Sequence, residues 1–276
     1  KKFIKPKHFD YNVAVVGAGS AGLITAYISA AIKAKVVLIE KDKMGGDCLN
    51  TGCVPSKALI RTAKMLSYAK RSQDFGIQQA TVDFDFKQVM ERVQKIIEKI
   101  EPHDSVERYE ELGVNCLSGE ARILDPYRIK VEGRIITTRN IVIASGASPF
   151  VPPIPGIDKI SYLTSDTLWN IRELPARLVV LGGGPIGCEM AQAFARFGSK
   201  VSQVEMAPQI LIREDEEVVN LVTERFQKEN IDVLTGHRAK EFILEGEEKV
   251  LLCEFEGRDV RIPFDEVIVA VGRKAN

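Results

Sequence analysis

Two cysteines five residues apart are the side chains of this sequence that most directly suggest chemistry. Cys48 and Cys53 lie in the segment GGDCLNTGCVPSK, which spans residues 45–57. Such a pair could bind a metal ion, form a structural disulfide or exchange electrons as a dithiol. The spacing alone is compatible with each of these uses, so the surrounding sequence has to distinguish them.

The redox interpretation fits the surroundings of the pair better than the other two. A zinc site usually takes four ligands arranged as two close pairs. The three histidines of the chain are scattered and form no second pair, so we predict no metal site. A structural disulfide that closes so short a loop stabilises a fold less than one that closes a long loop.

The residues around Cys53 predict that it lies at the N-terminus of a helix. Pro55 suits the first helical turn, and the following SKALIRTAKML consists largely of good helix formers. The positive end of the helix dipole stabilises a thiolate at such a position. Lys57, one turn further along, adds positive charge.

A repeated pattern provides elements that could hold a ligand beside these cysteines. Residues 13–40, VAVVGAGSAGLITAYISAAIKAKVVLIE, and residues 178–205, LVVLGGGPIGCEMAQAFARFGSKVSQVE, share one plan. Each has a strand-like run, a G-x-G-x-x-G motif, an alanine-rich stretch and a second strand-like run. Each ends in a glutamate, Glu40 or Glu205, 18 residues after the third glycine. We interpret both copies as βαβ units that bind a dinucleotide.

The glycines of this motif have separate physical roles. The first allows a tight turn, the second lets the backbone approach a pyrophosphate, and the third lets the helix pack closely on the sheet. The N–H groups at the start of the helix then bind the phosphates. The motif glycines are Gly17, Gly19 and Gly22 in the first copy and Gly182, Gly184 and Gly187 in the second.

The second glutamate indicates which nicotinamide dinucleotide binds there. A carboxylate accepts hydrogen bonds from ribose hydroxyls and repels a 2′-phosphate. Glu205 is followed by MAPQ, which has no arginine to receive that phosphate, and Arg213 is the nearest basic residue downstream. We therefore expect NAD(H) to be favoured over NADP(H).

The composition argues against a membrane-spanning or nucleic-acid-binding protein. The 38 lysines and arginines balance 38 aspartates and glutamates, so nothing attracts nucleic acid or anionic lipid in general. No apolar run is long enough to span a membrane, and the basic start KKFIKPKHF lacks a signal-peptide pattern. We expect a cytoplasmic protein in which Cys116, Cys188 and Cys253, isolated in apolar segments, are small core residues.

The sequence predicts an α/β fold with two Rossmann-like dinucleotide-binding domains. We assign residues 1–150 to the first domain and 151–270 to the second, divided at the proline-rich segment SPFVPPIPGI, and treat 271–276 as the start of a return to the first. Apolar residues at helical spacing predict a helix over 86–100 that ends near Pro102. Residues 250–255 and 260–263 predict a hairpin. The predicted strands are Asn12–Val16, Lys35–Glu40, Asn140–Ser145, Arg177–Gly182, Lys200–Glu205 and Asp265–Val271.

The cysteine segment resembles the active-site signature of the class I pyridine nucleotide-disulfide oxidoreductases. These flavoenzymes include dihydrolipoamide dehydrogenase, glutathione reductase and mercuric reductase. IASGASP, residues 143–149, resembles the family motif that returns to the FAD domain, and VIVAVGRKAN, residues 267–276, resembles the start of its last FAD motif. PHDSVERYEELGV, residues 102–114, is most similar to the mercuric-reductase-like branch.

The resemblance implies a role for each matching residue. Cys53 would face the flavin, Cys48 would meet the substrate, and Lys57 would lie near the flavin and pair with Glu189. Pro185 stands where some relatives have a mobile tyrosine. The cofactor-binding residues implied by the motifs and the resemblance are Gly17, Gly19, Ser20, Ala21, Gly22, Glu40, Lys41, Gly46, Asp47, Lys57, Ala121, Ser145, Gly146, Ala147, Gly182, Gly184, Pro185, Ile186, Gly187, Glu205 and Gly272.

The implied activity is electron transfer from NAD(P)H through FAD to a Cys48–Cys53 disulfide. The final acceptor would be a small dithiol, a disulfide or a metal ion. The family continues into a dimerisation domain with a histidine–glutamate pair, so we expect a homodimeric full-length protein. We expect a chain that stops at VGRKAN to be a monomer without full turnover.

Two other functions use the same scaffold. An NADH oxidase or another electron-transfer flavoprotein would need no dithiol substrate, and the presence of both cysteines speaks against it. A nucleotide-binding regulator or a protein-interaction module would be expected to have a decayed active site, and no catalytic-looking residue in either copy has decayed.

Overall fold

The computed structural model describes residues 3–276, so the first two lysines of the basic start lie outside the described residues. The chain forms two compact units. The first comprises the residues up to 54 together with 95–148 and 275–276, and the second comprises 55–94 and 149–274. The segment 55–94 joins the second unit because Phe86 packs against Phe194 and Phe197, with ring centroids 5.9 Å and 5.6 Å apart. The division into functional domains at residue 150 stays a prediction.

The first half of the chain alternates strands and helices and then turns to consecutive strands. Its elements are β1 (Tyr11–Val16), α1 (Ser20–Ala31), β2 (Val36–Glu40), α2 (Gly46–Asn50), α3 (Cys53–Lys70), α4 (Phe86–Ile100), α5 (Val106–Glu111), β3 (Val114–Ser118), β4 (Ala121–Asp125), β5 (Arg128–Val131), β6 (Arg134–Ile143) and β7 (Ala147–Pro149).

The second half repeats the alternation and inserts an antiparallel meander before its last parallel strand. Its elements are β8 (Arg177–Leu181), α6 (Pro185–Phe197), β9 (Lys200–Val204), α7 (Glu216–Lys228), β10 (Asp232–Leu234), β11 (Arg238–Glu245), β12 (Glu248–Phe255), β13 (Arg258–Phe264), β14 (Glu266–Val269) and β15 (Arg273–Ala275).

The first unit is built on a six-stranded sheet in the order β3-β2-β1-β6-β5-β4. The first four of these strands are parallel. The strand β5 then pairs antiparallel with β6 on one side and with β4 on the other. Alternate residues of β1 and β2 face opposite sides, so Val15 and Leu38 enter one buried cluster while Ala14 and Val37 enter another. Burial of both faces explains why these strands read as continuous apolar runs.

The second unit has a four-stranded parallel sheet in the order β10-β9-β8-β14. This order matches β3-β2-β1-β6 of the first unit, so the internal repeat extends from the βαβ motif to a third and a fourth strand. The meander β11-β12-β13 packs on this sheet through a buried cluster that includes Val204, Leu251 and Phe264. The α/β class and the parallel sheets predicted from the sequence are confirmed.

The predicted elements all form, and they differ from the sequence pattern at their ends. All six predicted strands exist, and the strand predicted over Asn140–Ser145 begins earlier because its first residues pair with β5. Helix α4 ends at Ile100, two residues before Pro102, and the predicted hairpin is β12–β13. The strands that were not predicted are β3, β4, β5, β7, β10, β11 and β15. The segment RAKEFILE, which forms β11, has no strict alternation. No helix within residues 3–276 is long and apolar enough to cross a membrane.

Candidate functional site

The first glycine-rich loop connects β1 to α1 in the first unit, and two of its glycines are required by close backbone contacts. Gly17 has a φ of +102°, and a Cβ atom there would lie 2.3 Å from the carbonyl oxygen of Ala144. A Cβ atom on Gly22 would lie 1.8 Å from the carbonyl oxygen of Gly17. No side chain fits at either position, so these glycines set the turn and the helix packing that the motif requires.

The middle glycine of each loop leaves room for a Cβ atom. A Cβ atom on Gly19 would meet only the Cα of Gly46, at 3.8 Å, and one on Gly184 would meet no atom within 4 Å. Helices α1 and α6 begin directly after these glycines, at Ser20 and Pro185, so their first N–H groups border the space. A pyrophosphate needs this combination of room and helix N-terminus, and both loops therefore fit a dinucleotide.

The two acidic residues are held in the same way in both units. The carboxylate of Glu40 accepts hydrogen bonds from the backbone N–H groups of Ala18, at 2.6 Å, and Asp42, at 2.9 Å. The carboxylate of Glu205 accepts from Gly183, at 2.6 Å, and Ala207, at 2.7 Å. Each carboxylate oxygen keeps a further lone pair, so either residue can also accept hydrogen bonds from a ribose.

The loop that carries Cys48 packs against the first glycine-rich loop within the same unit. The N–H of Gly45 donates to the carbonyl oxygen of Ala18, at 3.0 Å. A Cβ atom on Gly46 would lie 2.6 Å from the Cα of Gly19, so only glycine permits this approach. Helix α2 begins at Gly46, which places Cys48 two residues from the contact.

The two cysteines lie on separate helices. Cys48 is half-buried in α2, and Cys53 is exposed as the first residue of α3. The N-terminal position predicted for Cys53 is therefore confirmed. The Asn50 side chain, at the end of α2, donates to the carbonyl oxygens of Met44 and Gly46, at 3.0 Å and 2.9 Å, and so ties the end of this short helix to its start. Sequence reasoning missed Asn50, although an amide within so short a segment indicates such a bond.

The other three cysteines are unsuited to thiolate chemistry. Burial raises the pKa of the Cys116 thiol to about 11, together with the charges of Glu110 and Glu107. Burial alone raises the pKa of Cys253 to about 12, and burial also raises the pKa of Cys188. At neutral pH these thiols stay protonated, in agreement with their interpretation as core residues.

The structure brings Lys57 and Glu189 together in the second unit. The Nζ of Lys57 lies 2.7 Å from Oε1 of Glu189, 132 residues later in the chain. The two side chains are 61% and 37% exposed, so their pairing contributes only about 0–1 kcal/mol to folding. Stability does not explain the pair, and its implied role beside a flavin stays a prediction.

The remaining implied cofactor residues occupy turns and element ends. Ser145, Gly146 and Ala147 follow β6 in the first unit, where Asn276 donates to the carbonyl oxygens of Gly146, at 3.2 Å, and Ser145, at 2.8 Å. In the second unit the carbonyl oxygen of Gly272 accepts from Phe150, at 3.0 Å. The other positions are Ala21 and Ile186 in the first turns of α1 and α6, Lys41 after β2, Asp47 in α2 and Ala121 at the start of β4.

Alanine substitutions should separate the packing role of the third glycine from the binding role of the second. A Cβ atom on Gly187 would lie 2.2 Å from the carbonyl oxygen of Gly182, so Gly187→Ala should destabilise the protein by about 1–3 kcal/mol. Gly184 has a φ of −75° that alanine adopts freely. Gly184→Ala should therefore keep the unfolding free energy while weakening NADH binding by at least about tenfold, because its methyl group enters the phosphate space.

Denaturant unfolding and equilibrium NADH titration of both variants check this expectation. If Gly184→Ala bound NADH as well as the unsubstituted protein, the open space beside Gly184 would not be the phosphate site.

Comparisons with known proteins agree with this arrangement. Residues 11–276 match the family described as pyridine nucleotide-disulphide oxidoreductase. A mercuric reductase from Staphylococcus aureus is 32% identical over 267 residues, covering 97% of this chain and 49% of that protein. A dihydrolipoyl dehydrogenase from Acholeplasma laidlawii is 32% identical over 272 residues, covering 97% of this chain and 80% of that protein.

A solved structure gives the same result for the fold. The HOCl-induced flavoprotein disulfide reductase RclA from Escherichia coli is similar with a TM-score of 0.81 at 27% identity, covering 96% of this chain and 57% of that chain. The present chain thus spans about half the length of the mercuric reductase and of RclA. FAD and a pyridine nucleotide are the cofactors expected for this family.

Proposed function

Because the chain belongs to the pyridine nucleotide-disulphide oxidoreductase family, we propose that it carries electrons from NADH through FAD to the Cys48–Cys53 pair. The pair then reduces a small disulfide or a thiol-binding metal ion. The first glycine-rich loop binds FAD and the second binds NADH. A homodimeric longer protein and a cytoplasmic location stay predictions from the resemblance and the composition.

One observation supports this proposal above the others. The loop that carries Cys48 contacts the first glycine-rich loop directly, through the hydrogen bond from Gly45 to Ala18 and the close approach of Gly46 to Gly19. A dinucleotide held at Gly19 is thereby placed beside the helix that carries a thiol. A cysteine pair with a purely structural role would have no reason to be positioned against a nucleotide-binding turn.

The chemistry divides between the cofactor and the chain. FAD, when bound, supplies a ring that accepts a hydride from NADH and delivers an electron pair to the disulfide. Reduction of the disulfide takes two electrons and two protons and yields two thiols. Cys53, exposed at the N-terminus of α3, is the thiol that we assign to the flavin side. With a disulfide as acceptor, the Cys48 thiolate bonds to one of its sulfurs and breaks the S–S bond, which releases the first thiol. Cys53 then attacks the sulfur of Cys48, which re-forms the Cys48–Cys53 disulfide and releases the second thiol.

Lys57 and Glu189 have positioning roles in this scheme. The ammonium group is held at 2.7 Å by the carboxylate, which fixes a positive charge one helical turn after Cys53 on α3. A fixed cation stabilises negative charge that develops on a neighbouring group during electron transfer. The pair is exposed, so it remains available to a bound ring.

The preference for NADH rests on Glu205. Its carboxylate is held by the N–H groups of Gly183 and Ala207, which presents negative charge where a 2′-phosphate would lie. This carboxylate repels NADPH and accepts hydrogen bonds from the ribose hydroxyls of NADH.

The class of acceptor follows from the names of the relatives and from thiol chemistry. A mercuric reductase and a flavoprotein disulfide reductase are among the proteins to which this chain is similar. Both names describe acceptors that a dithiol reduces after forming a bond to sulfur. We propose the same class here, a disulfide or a soft metal ion, rather than molecular oxygen.

Anaerobic titration of the FAD-loaded protein with NADH tests the proposal. One equivalent of NADH should reduce the disulfide, so a thiol reagent should detect two more thiols than before the titration. Cys48→Ser should yield no such increase, since it cannot form the disulfide. Reduction of the flavin without new thiols, followed by oxygen consumption, would instead identify an electron-transfer flavoprotein without a dithiol substrate.

A further inference from the structure

A buried amide lies directly beneath the second glycine-rich loop. Gln203, on β9, is completely buried, and its Nε2 donates to the carbonyl oxygen of Gly182 at 3.1 Å. The same nitrogen lies 3.5 Å from Sγ of Cys188, and that thiol donates to the carbonyl oxygen of Gly183 at 3.4 Å. The carbonyl groups of Gly182 and Gly183 thus accept hydrogen bonds from the side chains of Gln203 and Cys188.

The peptide between Gly182 and Gly183 is held at both ends. Its carbonyl oxygen accepts from Gln203, and its N–H donates to the Glu205 carboxylate at 2.6 Å. Gln203 and Glu205 are two residues apart along the direction of β9 and so lie on the same side of the chain. The Glu205 carboxylate and the buried Gln203 amide therefore form hydrogen bonds with the same peptide group.

The first unit has no amide at the equivalent position. The positions that match Gln203 and Cys188 are Leu38, two residues before Glu40, and Leu23, directly after Gly22. Both leucines are buried in the core of the first unit. The fold of the βαβ unit therefore does not require polar side chains at these positions.

The other end of the amide has a cost in folding free energy. The Oε1 atom of Gln203 is buried with no hydrogen-bond partner within residues 3–276, and an unsatisfied buried acceptor costs free energy on folding. The fold does not need an amide at position 203, and its unpaired Oε1 costs free energy. The hydrogen bond that its Nε2 donates to Gly182 is therefore the simplest explanation for the presence of Gln203.

The second loop also differs from the first at its helix N-terminus. Pro185 occupies the position of Ser20, the first residue of the helix in each unit. Proline has no N–H, so α6 offers one fewer donor to a phosphate than α1. The second loop depends correspondingly more on its remaining groups being well oriented.

We propose that Gln203 is a positioning residue of the second dinucleotide site. By holding the carbonyl of Gly182, it fixes the Gly182–Gly183 peptide and hence the N–H that orients Glu205 toward the ribose. The proposal deepens the proposed function, since it takes NADH to be the ligand of this loop. Gln203 itself touches no ligand and acts through the peptide.

The test replaces the amide with the side chain of the first unit. Gln203→Leu should weaken NADH binding by roughly three- to tenfold, the effect of one lost hydrogen bond, while the melting temperature stays equal or rises. Val204→Ala, a neighbouring core truncation on the other side of β9, serves as the control. It should lower the melting temperature and leave the NADH affinity within about twofold of the unsubstituted protein.

The double variant Cys188→Leu/Gln203→Leu reproduces the complete leucine pair of the first unit and covers the case in which the single variant packs poorly. Equilibrium titration with NADH and with ADP-ribose, thermal unfolding and FAD content are measured on all variants. FAD content should not change. The assignment would be overturned if both leucine variants bound NADH as well as the unsubstituted protein. It would also be overturned if Val204→Ala lost as much NADH affinity as the leucine variants. Failure of the unsubstituted protein to bind NADH would refute the proposed function instead.

Discussion

Replacing Cys53 by serine should abolish the long-wavelength charge-transfer absorbance of the two-electron-reduced, FAD-loaded protein. Such absorbance requires an ionised sulfur as electron donor, and a serine hydroxyl is not ionised at neutral pH. Cys53 is exposed at the first residue of α3, where the helix N-terminus favours the negative charge. Disulfide reduction should be lost completely in the same variant, because no Cys48–Cys53 disulfide can form.

Two matched variants show whether this loss is specific. Cys48→Ser should show the absorbance before NADH is added, since its Cys53 thiolate then faces oxidised FAD, and should lose it when NADH reduces the flavin; transfer to the acceptor should also be lost. Cys116→Ser should change neither property, because burial and nearby glutamates raise the pKa of that thiol to about 11 and it belongs to the core. Visible absorbance spectra recorded during anaerobic titration with NADH check all three variants. Absorbance that persists in Cys53→Ser would refute the assignment of this thiol to the flavin side.

Replacing Glu205 by arginine should reverse the nucleotide preference of the second unit. The substitution removes the acceptor for the ribose hydroxyls and for the N–H groups of Gly183 and Ala207. Hydrogen bonds to charged groups contribute about 1.5–3 kcal/mol each, so NADH affinity should fall by roughly 10- to 100-fold. The guanidinium group can bind a 2′-phosphate through paired hydrogen bonds, so NADPH should lose less affinity or gain some.

Titration of each variant with NADH and NADPH at equal ionic strength gives the ratio of the two affinities. Glu247→Arg, an identical change of charge at an exposed turn of the second unit, is the control for long-range attraction of the more highly charged NADPH. Glu205→Gln removes the charge but keeps an acceptor, so it should lower NADH affinity less than Glu205→Arg. If the affinity ratio were the same in Glu205→Arg and Glu247→Arg, selection between the two nucleotides would not depend on Glu205.

The local pattern of the chain was sufficient to predict both βαβ units. Each G-x-G-x-x-G motif combines with a strand before it and a glutamate 18 residues after its last glycine. These positions form a turn, a helix N-terminus and a strand end, which are local structures. Neighbouring residues are therefore enough to predict them. For the same reason the residues that follow Cys53 were enough to predict its position at the start of α3.

The alternation of strands and helices also predicted the fold class, but it did not reveal how far the repeat extends. The common order β3-β2-β1-β6 and β10-β9-β8-β14 depends on strands that are separated by helices or by a meander. Their pairing is decided by hydrogen bonds between distant segments. The strand β11 was missed because its packing partners, rather than its own alternation, make it a strand.

Contacts over long sequence separations were decided by the tertiary structure alone. One example is the grouping of residues 55–94 with the second unit. Another is the pair of hydrogen bonds that Gln203 and Glu205 form with the Gly182–Gly183 peptide group. The pairing of Lys57 with Glu189 was implied by the resemblance, and no property of either segment by itself predicts it. By itself the sequence determined the two βαβ units and the helix start at Cys53, because backbone sterics and helix dipoles act between near neighbours. Only the folded chain decided which side chains meet, because burial and hydrogen bonding between distant residues depend on how the elements pack.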